Sequence, residues 1–175
     1  MIRDLLLLAC GFGLVTLEAA LGTVLHVGPL MPHLLLPMVI YLGMAPDISL
    51  AHGAALAFVL GAFADAASGH AIGLLTFVHV AVLISARAMG FRLFMRGRPS
   101  QVLITTLAAL AGALVLIVLR QLFRRDDPLA SASLRHLFVA VAAPSLATGA
   151  VAPFIFQLVR RIDTLRRRDE TAGLT

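Results

Sequence analysis

Residues 53–73 read GAALAFVLGAFADAASGHAIG. Apart from Asp65 the stretch is mainly apolar, and its full length is sufficient to cross a bilayer as one helix. A carboxylate inside such a helix costs about a few kcal/mol, so it normally has a partner or a function. Gly53, Ala57 and Gly61 recur at every fourth residue and share a helix face with Asp65. The stretch predicts a membrane-spanning helix with a face of small residues that ends in a carboxylate.

The composition extends this interpretation to the whole chain. Of its 175 residues, 60% are hydrophobic, and the mean hydropathy is +0.98. Apolar runs near the length of a bilayer crossing predict an all-α integral membrane protein with six transmembrane helices. One membrane domain would occupy residues 1–159, and a basic cytoplasmic tail residues 160–175. The predicted spans are Leu5–Leu25, Leu30–Ala45, Leu50–Ala67, Gly73–Phe91, Val102–Leu119 and Leu137–Val159.

The second predicted span is the least regular, because it contains Pro32 and Pro37 and ends before Pro46. A proline removes a backbone donor and disturbs the preceding turn of a helix. We therefore expect a short, kinked or steeply entering helix in this region, with a reentrant hairpin as the alternative.

The basic residues predict the orientation of the spans. All fourteen basic residues are arginines. If the chain crosses the membrane six times, ten of these arginines lie on the same side as both termini, and the other four lie on the opposite side. The positive-inside rule then predicts cytoplasmic N- and C-termini in the bacterial inner membrane. The arginines flank apolar spans instead of forming one basic surface, which argues against nucleic acid as a partner. The run from Arg160 to Arg168 is expected to anchor the topology or to contact anionic membrane lipids.

Polar side chains inside the predicted spans point to one further feature. Glu18, Asp65 and His79 lie within spans, and His70 lies in the turn after the third span. Their depth places all four at the outer side, where we expect an intramembrane polar cluster. In a structural interpretation they satisfy one another, through a Glu18–His79 pair or through backbone N–H groups donated to Asp65. In a functional interpretation they line a ligand pocket or an ion path.

The sequence lacks the usual patterns of catalysis and cofactor binding. It contains no His-x-x-x-His pair for a metal, no phosphate-binding or dinucleotide motif and no Gly-x-Ser-x-Gly elbow. Cys10 is the only cysteine, so no disulfide framework is expected. Interfacial positions near span ends account for His33 and His52, and Arg87 is expected to snorkel to the interface. We therefore expect no enzymatic activity and no cofactor.

Two segments carry a resemblance to a known family. The run Gly61-Ala62-Phe63-Ala64-Asp65, followed by Gly69 and Gly73-Leu74-Leu75, resembles the signature of the bacterial rod shape-determining protein MreD family. Residues 32–43 are similar to the second span of that family. The small residues Gly53, Ala57 and Gly61 would allow another helix to approach closely, either within the chain or from a partner. The resemblance implies that Gly61, Asp65, Gly69 and Gly73 shape the hairpin between the third and fourth spans. Together these six positions are the predicted structural motif and partner interface.

The same resemblance implies a function and a fold. The protein would be a non-enzymatic inner-membrane scaffold subunit of the cell-elongation complex, which carries out peptidoglycan synthesis for rod shape. It would bind the single-span protein MreC, and through it connect to MreB, RodA and a class B penicillin-binding transpeptidase. Its fold would be similar to the substrate-binding subunits of energy-coupling factor transporters.

Two other functions stay open at this point. The shared fold keeps a substrate-binding subunit of an energy-coupling factor vitamin transporter as the alternative, with Glu18, Asp65 and His79 in its pocket. An intramembrane enzyme is the third hypothesis, and it lacks a nucleophile or metal constellation in the sequence.

Overall fold

The computed structural model describes residues 2–25, 31–68, 73–89, 97–123 and 134–172. These residues form six α-helices, which confirms the all-α prediction. Helix α6 continues beyond the last predicted span into the predicted tail, and the division of the chain at residue 159 stays a prediction. The helices are α1 (Ile2–Leu25), α2 (Leu35–Met44), α3 (Leu50–Ser68), α4 (Leu74–Ala88), α5 (Arg98–Phe123) and α6 (Leu134–Ala172).

Four of these helices are long and apolar enough to cross a membrane, namely α1, α3, α5 and α6. Helix α2 has 10 residues and α4 has 15. At 1.5 Å per residue they measure about 15 Å and 22 Å, less than the roughly 30 Å of a hydrocarbon core. The prediction of six spans is therefore not confirmed, and the likeness to transporter subunits also stays a prediction.

Contacts at the helix ends show that the starts of α1 and α3 lie at one end of the bundle, and that the C-terminal ends of α2 and α4 lie close together. Near the starts of α1 and α3, Asp4 Oδ1 and His52 Nε2 are 3.0 Å apart. Near the ends of α2 and α4, an Arg87 N–H group donates to the carbonyl oxygen of Ala45 at 2.9 Å. Arg87 is thus bound to the C-terminal end of α2, where a cation is favourable for the helix dipole.

Helix α2 lies at the centre of the bundle. Nine of its ten residues are buried, and it contacts each of the other five helices. One set of its side chains, including Met38 and Leu42, packs in a cluster with α1, α3 and α6. Another, including Ile40, packs in a second cluster with α4, α5 and α6. Pro37 lies in the first turn of α2, where a missing N–H costs no helical hydrogen bond. The proline therefore does not interrupt this short helix.

The close approach of α2 and α4 gives a first prediction. A Cβ atom added at Gly43 would lie 2.7 Å from the carbonyl oxygen of Leu83, which is backbone. We expect Gly43→Ala to lower the free energy of unfolding by about 1–3 kcal/mol, because the two helices must separate. Gly13→Ala is the control, since nothing lies within 4 Å of a Cβ at Gly13. Unfolding of both variants in detergent, followed by circular dichroism, checks this; equal stabilities would contradict it.

The outside of the bundle is rich in large apolar side chains. Such a surface is unfavourable in water and is the expected surface against lipid. It agrees with the assignment of the chain as a membrane protein. The most exposed of these side chains are Leu5, Val24, Met89, Leu103, Val118, Phe138, Leu146 and Phe154.

Candidate functional site

Asp65 binds the first turn of the next helix. Its side chain is 1% exposed and lies in the last turn of α3. Its Oδ1 accepts the N–H of Leu75 at 2.8 Å, and its Oδ2 accepts the N–H groups of Gly73 at 2.9 Å and Thr76 at 3.1 Å. The Thr76 hydroxyl also donates to Oδ2, at 2.6 Å. Four donors thus surround one buried carboxylate, as the structural interpretation of Asp65 expected.

This arrangement replaces an ordinary helix cap. Gly73 is the N-cap residue of α4 and has no side chain to accept the free N–H groups of the first turn. Its φ of +97° is in the left-handed region, which glycine adopts without steric cost. The carboxylate of Asp65 takes the position of the missing cap and lies at the positive end of the α4 dipole.

Gly61 allows this cap to form. A Cβ atom added at Gly61 would lie 2.6 Å from the Cα of Thr76, too close for any side chain. Gly61 is one turn before Asp65, so both residues act on the same turn of α4. We refer to Gly61, Asp65, Gly73, Leu75 and Thr76 together as the hairpin cap.

The rest of the small-residue stripe on α3 is also buried within the chain. A Cβ at Gly53 would contact Ile48 and Leu83 at 3.5 Å, and Ala57 is fully buried in the core. A direct partner interface at these positions stays a prediction, and Gly69 lies outside the described residues. A partner that approached α3 would first meet its exposed positions, such as Phe58, Val59 and Phe63.

Glu18 holds the residues that precede α2. Its Oε1 is 3.0 Å from His33 Nδ1, and its Oε2 accepts the N–H of Leu34 at 3.0 Å. The backbone N–H of His33 donates to the Thr148 hydroxyl at 2.9 Å, and that hydroxyl donates to the carbonyl of Pro144 on α6. The entry to α2 is therefore fixed between α1 and α6.

The predicted Glu18–His79 pair is wrong. His79 is 5% exposed, and its Nδ1 bonds to the carbonyl of Leu75 at 2.7 Å, one turn earlier on α4. The partner of Glu18 is His33, which the sequence analysis placed at an interface without a role. The available signal was that His33 and Glu18 lie at the same predicted depth near the outer ends of adjacent spans.

A cavity of about 540 Å³ lies between the helices at this end of the bundle. Glu18, His33 and His79 line it, and most of its other lining residues are apolar. Asp65 is absent from the lining, since the hairpin cap encloses its carboxylate. Of the predicted polar cluster, the structure brings Glu18 and His79 to one cavity and places Asp65 apart from it. His70 lies outside the described residues.

The described residues contain no group of three or more His, Cys, Asp or Glu side chains placed to hold a metal ion. Cys10 is a free thiol on α1 and is partly buried.

The contacts of Glu18 give a second prediction. We expect Glu18→Ala to lower the free energy of unfolding by about 1–3 kcal/mol, because the N–H of Leu34 and the ring of His33 lose their acceptor. Thr16→Val on the same helix is the control, since the Thr16 hydroxyl is exposed and, within the described part of the chain, donates only to the carbonyl oxygen of Gly13 in its own helix. Protease digestion in detergent, with cleavage mapped near His33, is the measurement. A Glu18→Ala protein as resistant as the control would contradict this role.

Comparison with known proteins identifies a family. The model of a family described as rod shape-determining protein MreD matches residues 1–162. The matched range contains the hairpin cap and the cavity. No curated protein and no solved structure matches the chain.

Proposed function

The chain belongs to the MreD family of rod shape-determining proteins, and we therefore propose that it is a non-enzymatic inner-membrane scaffold subunit of the bacterial cell-elongation complex. The family match over residues 1–162 is the observation that carries this proposal. Membership of the family implies a role in rod shape determination. The family match does not support the alternative, a substrate-binding subunit of a vitamin transporter.

The proposed scaffold binds an MreC-like single-span protein. Through that protein it would be connected to MreB, RodA and a class B penicillin-binding transpeptidase. The exposed apolar side chains of α1 and α3 support contact with a partner helix; Phe12 and Phe63 form an edge-to-face pair there, with ring centroids 5.4 Å apart. The hairpin cap would contribute indirectly, because it fixes the position of α3 against α4.

We also propose that both termini are cytoplasmic. The excess of arginines on that side supports this. We expect alkaline phosphatase fused after residue 175 to be inactive, and a fluorescent protein at the same site to fluoresce. The opposite pattern would reverse the orientation.

The binding proposal is tested by affinity purification from native membranes in mild detergent, followed by mass spectrometry. We expect an MreC-like single-span protein to be recovered together with cell-wall synthases. Recovery of an ATPase pair with a coupling membrane subunit would overturn the scaffold proposal. Recovery of neither group, from membranes that contain the MreC-like protein, would also count against it.

A further inference from the structure

The cavity beside Glu18 has the properties of a ligand site. Its volume of about 540 Å³ falls within the roughly 300–1,000 Å³ of small-molecule pockets in proteins. Its walls are mainly apolar and come from several helices, with Val15, Leu35, Leu116 and Ile117 among them. A few polar groups on an apolar wall are the usual basis for orienting a ligand.

His79 presents an unused acceptor to this cavity. Its Nδ1 faces the carbonyl oxygen of Leu75 at 2.7 Å, and because a carbonyl only accepts, Nδ1 carries the hydrogen. In the neutral ring, Nε2 is then a hydrogen-bond acceptor. Among the described residues Nε2 has no hydrogen-bond partner, although the side chain is 5% exposed. An acceptor in this state at the wall of the cavity favours a ligand that carries a donor.

Glu18 adds negative charge to the same cavity. Each of its carboxylate oxygens accepts one hydrogen bond, from His33 and from the N–H of Leu34. A carboxylate has about four lone-pair sites, so acceptor capacity remains on both oxygens. A charge beside an apolar wall is best stabilised by an opposite charge that is also hydrogen-bonded.

We propose that this cavity binds an amphiphile, with an apolar chain against the helix walls and a primary ammonium group between Glu18 and His79. The ammonium group has three donors, which suit two acceptors that lie in one apolar space. The ligand chemistry has two sources, an aminophospholipid of the membrane or a free amphiphilic amine. The proposal does not depend on the scaffold function.

Binding is measured by native mass spectrometry of the purified full chain in mild detergent. Dodecylamine is compared with dodecanoate, which has the same chain length and the opposite charge. Phosphatidylethanolamine is compared with phosphatidylglycerol of matched acyl chains. We expect each amine to bind about tenfold more tightly than its anionic counterpart. If only phosphatidylethanolamine is preferred over its anionic counterpart, the natural ligand is a membrane lipid. If only dodecylamine is preferred over dodecanoate, the natural ligand is a free amine.

Two alanines of α5 give a matched pair of variants. Ala113 lines the cavity, whereas Ala111, two residues earlier, is exposed outside it. We expect Ala113→Leu to fill the cavity and weaken amine binding by about tenfold or more. Ala111→Leu adds the same side chain and should leave amine binding unchanged.

Glu18→Gln tests the charge separately from the shape of the site. It should remove the preference for amine over carboxylate while the variant remains folded. Equal affinity of the native chain for dodecylamine and dodecanoate, and for the two lipids, would overturn the proposal. Amine binding that Ala113→Leu leaves unchanged would overturn it as well, because the ligand would then lie elsewhere.

Discussion

Replacing Asp65 with leucine is expected to lower the free energy of unfolding by about 3–5 kcal/mol. At this buried position, three backbone N–H groups and the Thr76 hydroxyl would lose the carboxylate that accepts their hydrogen bonds. Leucine also adds no charge at the positive end of α4, so the dipole of that helix loses its partner. The free energy is measured by titration with sodium dodecyl sulfate in mixed micelles, followed by circular dichroism.

Ser68→Ala is the matched control for Asp65→Leu. Among the residues that the structure describes, the Ser68 hydroxyl donates only to the carbonyl oxygen of Asp65 in its own helix, and Ser68 is exposed. Its loss should cost no more than about 0.5 kcal/mol. Asp65→Asn should fall between the two, because an amide retains one acceptor oxygen but places an NH₂ group against donors. An Asp65→Leu protein as stable as Ser68→Ala would show that the hairpin cap does not stabilise the fold.

Replacing Gly61 with leucine is the second change with a large expected effect. The new side chain would occupy the space of the Thr76 backbone, so α4 must move away from α3 and the hydrogen bonds to Asp65 must lengthen. We expect a loss of about 3 kcal/mol or more in the free energy of unfolding. Recovery of an MreC-like partner should fall with it, because the proposed scaffold depends on the position of these helices.

Ala62→Leu is the control for Gly61→Leu, since it adds the same side chain at the next position of α3. Ala62 is exposed, so leucine there faces the surroundings of the bundle instead of α4. The Ala62→Leu protein should have the same free energy of unfolding as the unchanged chain. If Gly61→Leu and Ala62→Leu gave equal unfolding free energies and equal partner recovery, the close contact between Gly61 and Thr76 would have no energetic role.

The positions of the helices were largely predictable from the sequence. A run of apolar residues indicates a helix whether that helix faces lipid or protein. The predicted third span, residues 50–67, therefore nearly coincides with α3. The prolines around residues 32–46 correctly indicated a short helix. The family resemblance drawn from the Gly61–Asp65 segment is confirmed by the match over residues 1–162.

The contacts between side chains were harder to predict from the sequence. Hydropathy is the same for an apolar residue that faces lipid and for one that is buried, so it gave no sign that α2 is the central helix. The partner of Glu18 depends on how the segment before α2 passes α1, which spacing along the chain does not encode. Asp65 was predictable as a cap in outline, because a glycine at the start of α4 leaves N–H groups without a local acceptor.

The central position of α2 has a consequence for how the protein is made. A helix of about 15 Å leaves part of a bilayer unspanned, so α2 alone would have polar backbone at its ends exposed to hydrocarbon. Its stable site exists only after the longer helices have associated around it. The contacts of α2 with all five other helices are therefore what holds this short helix in the bundle.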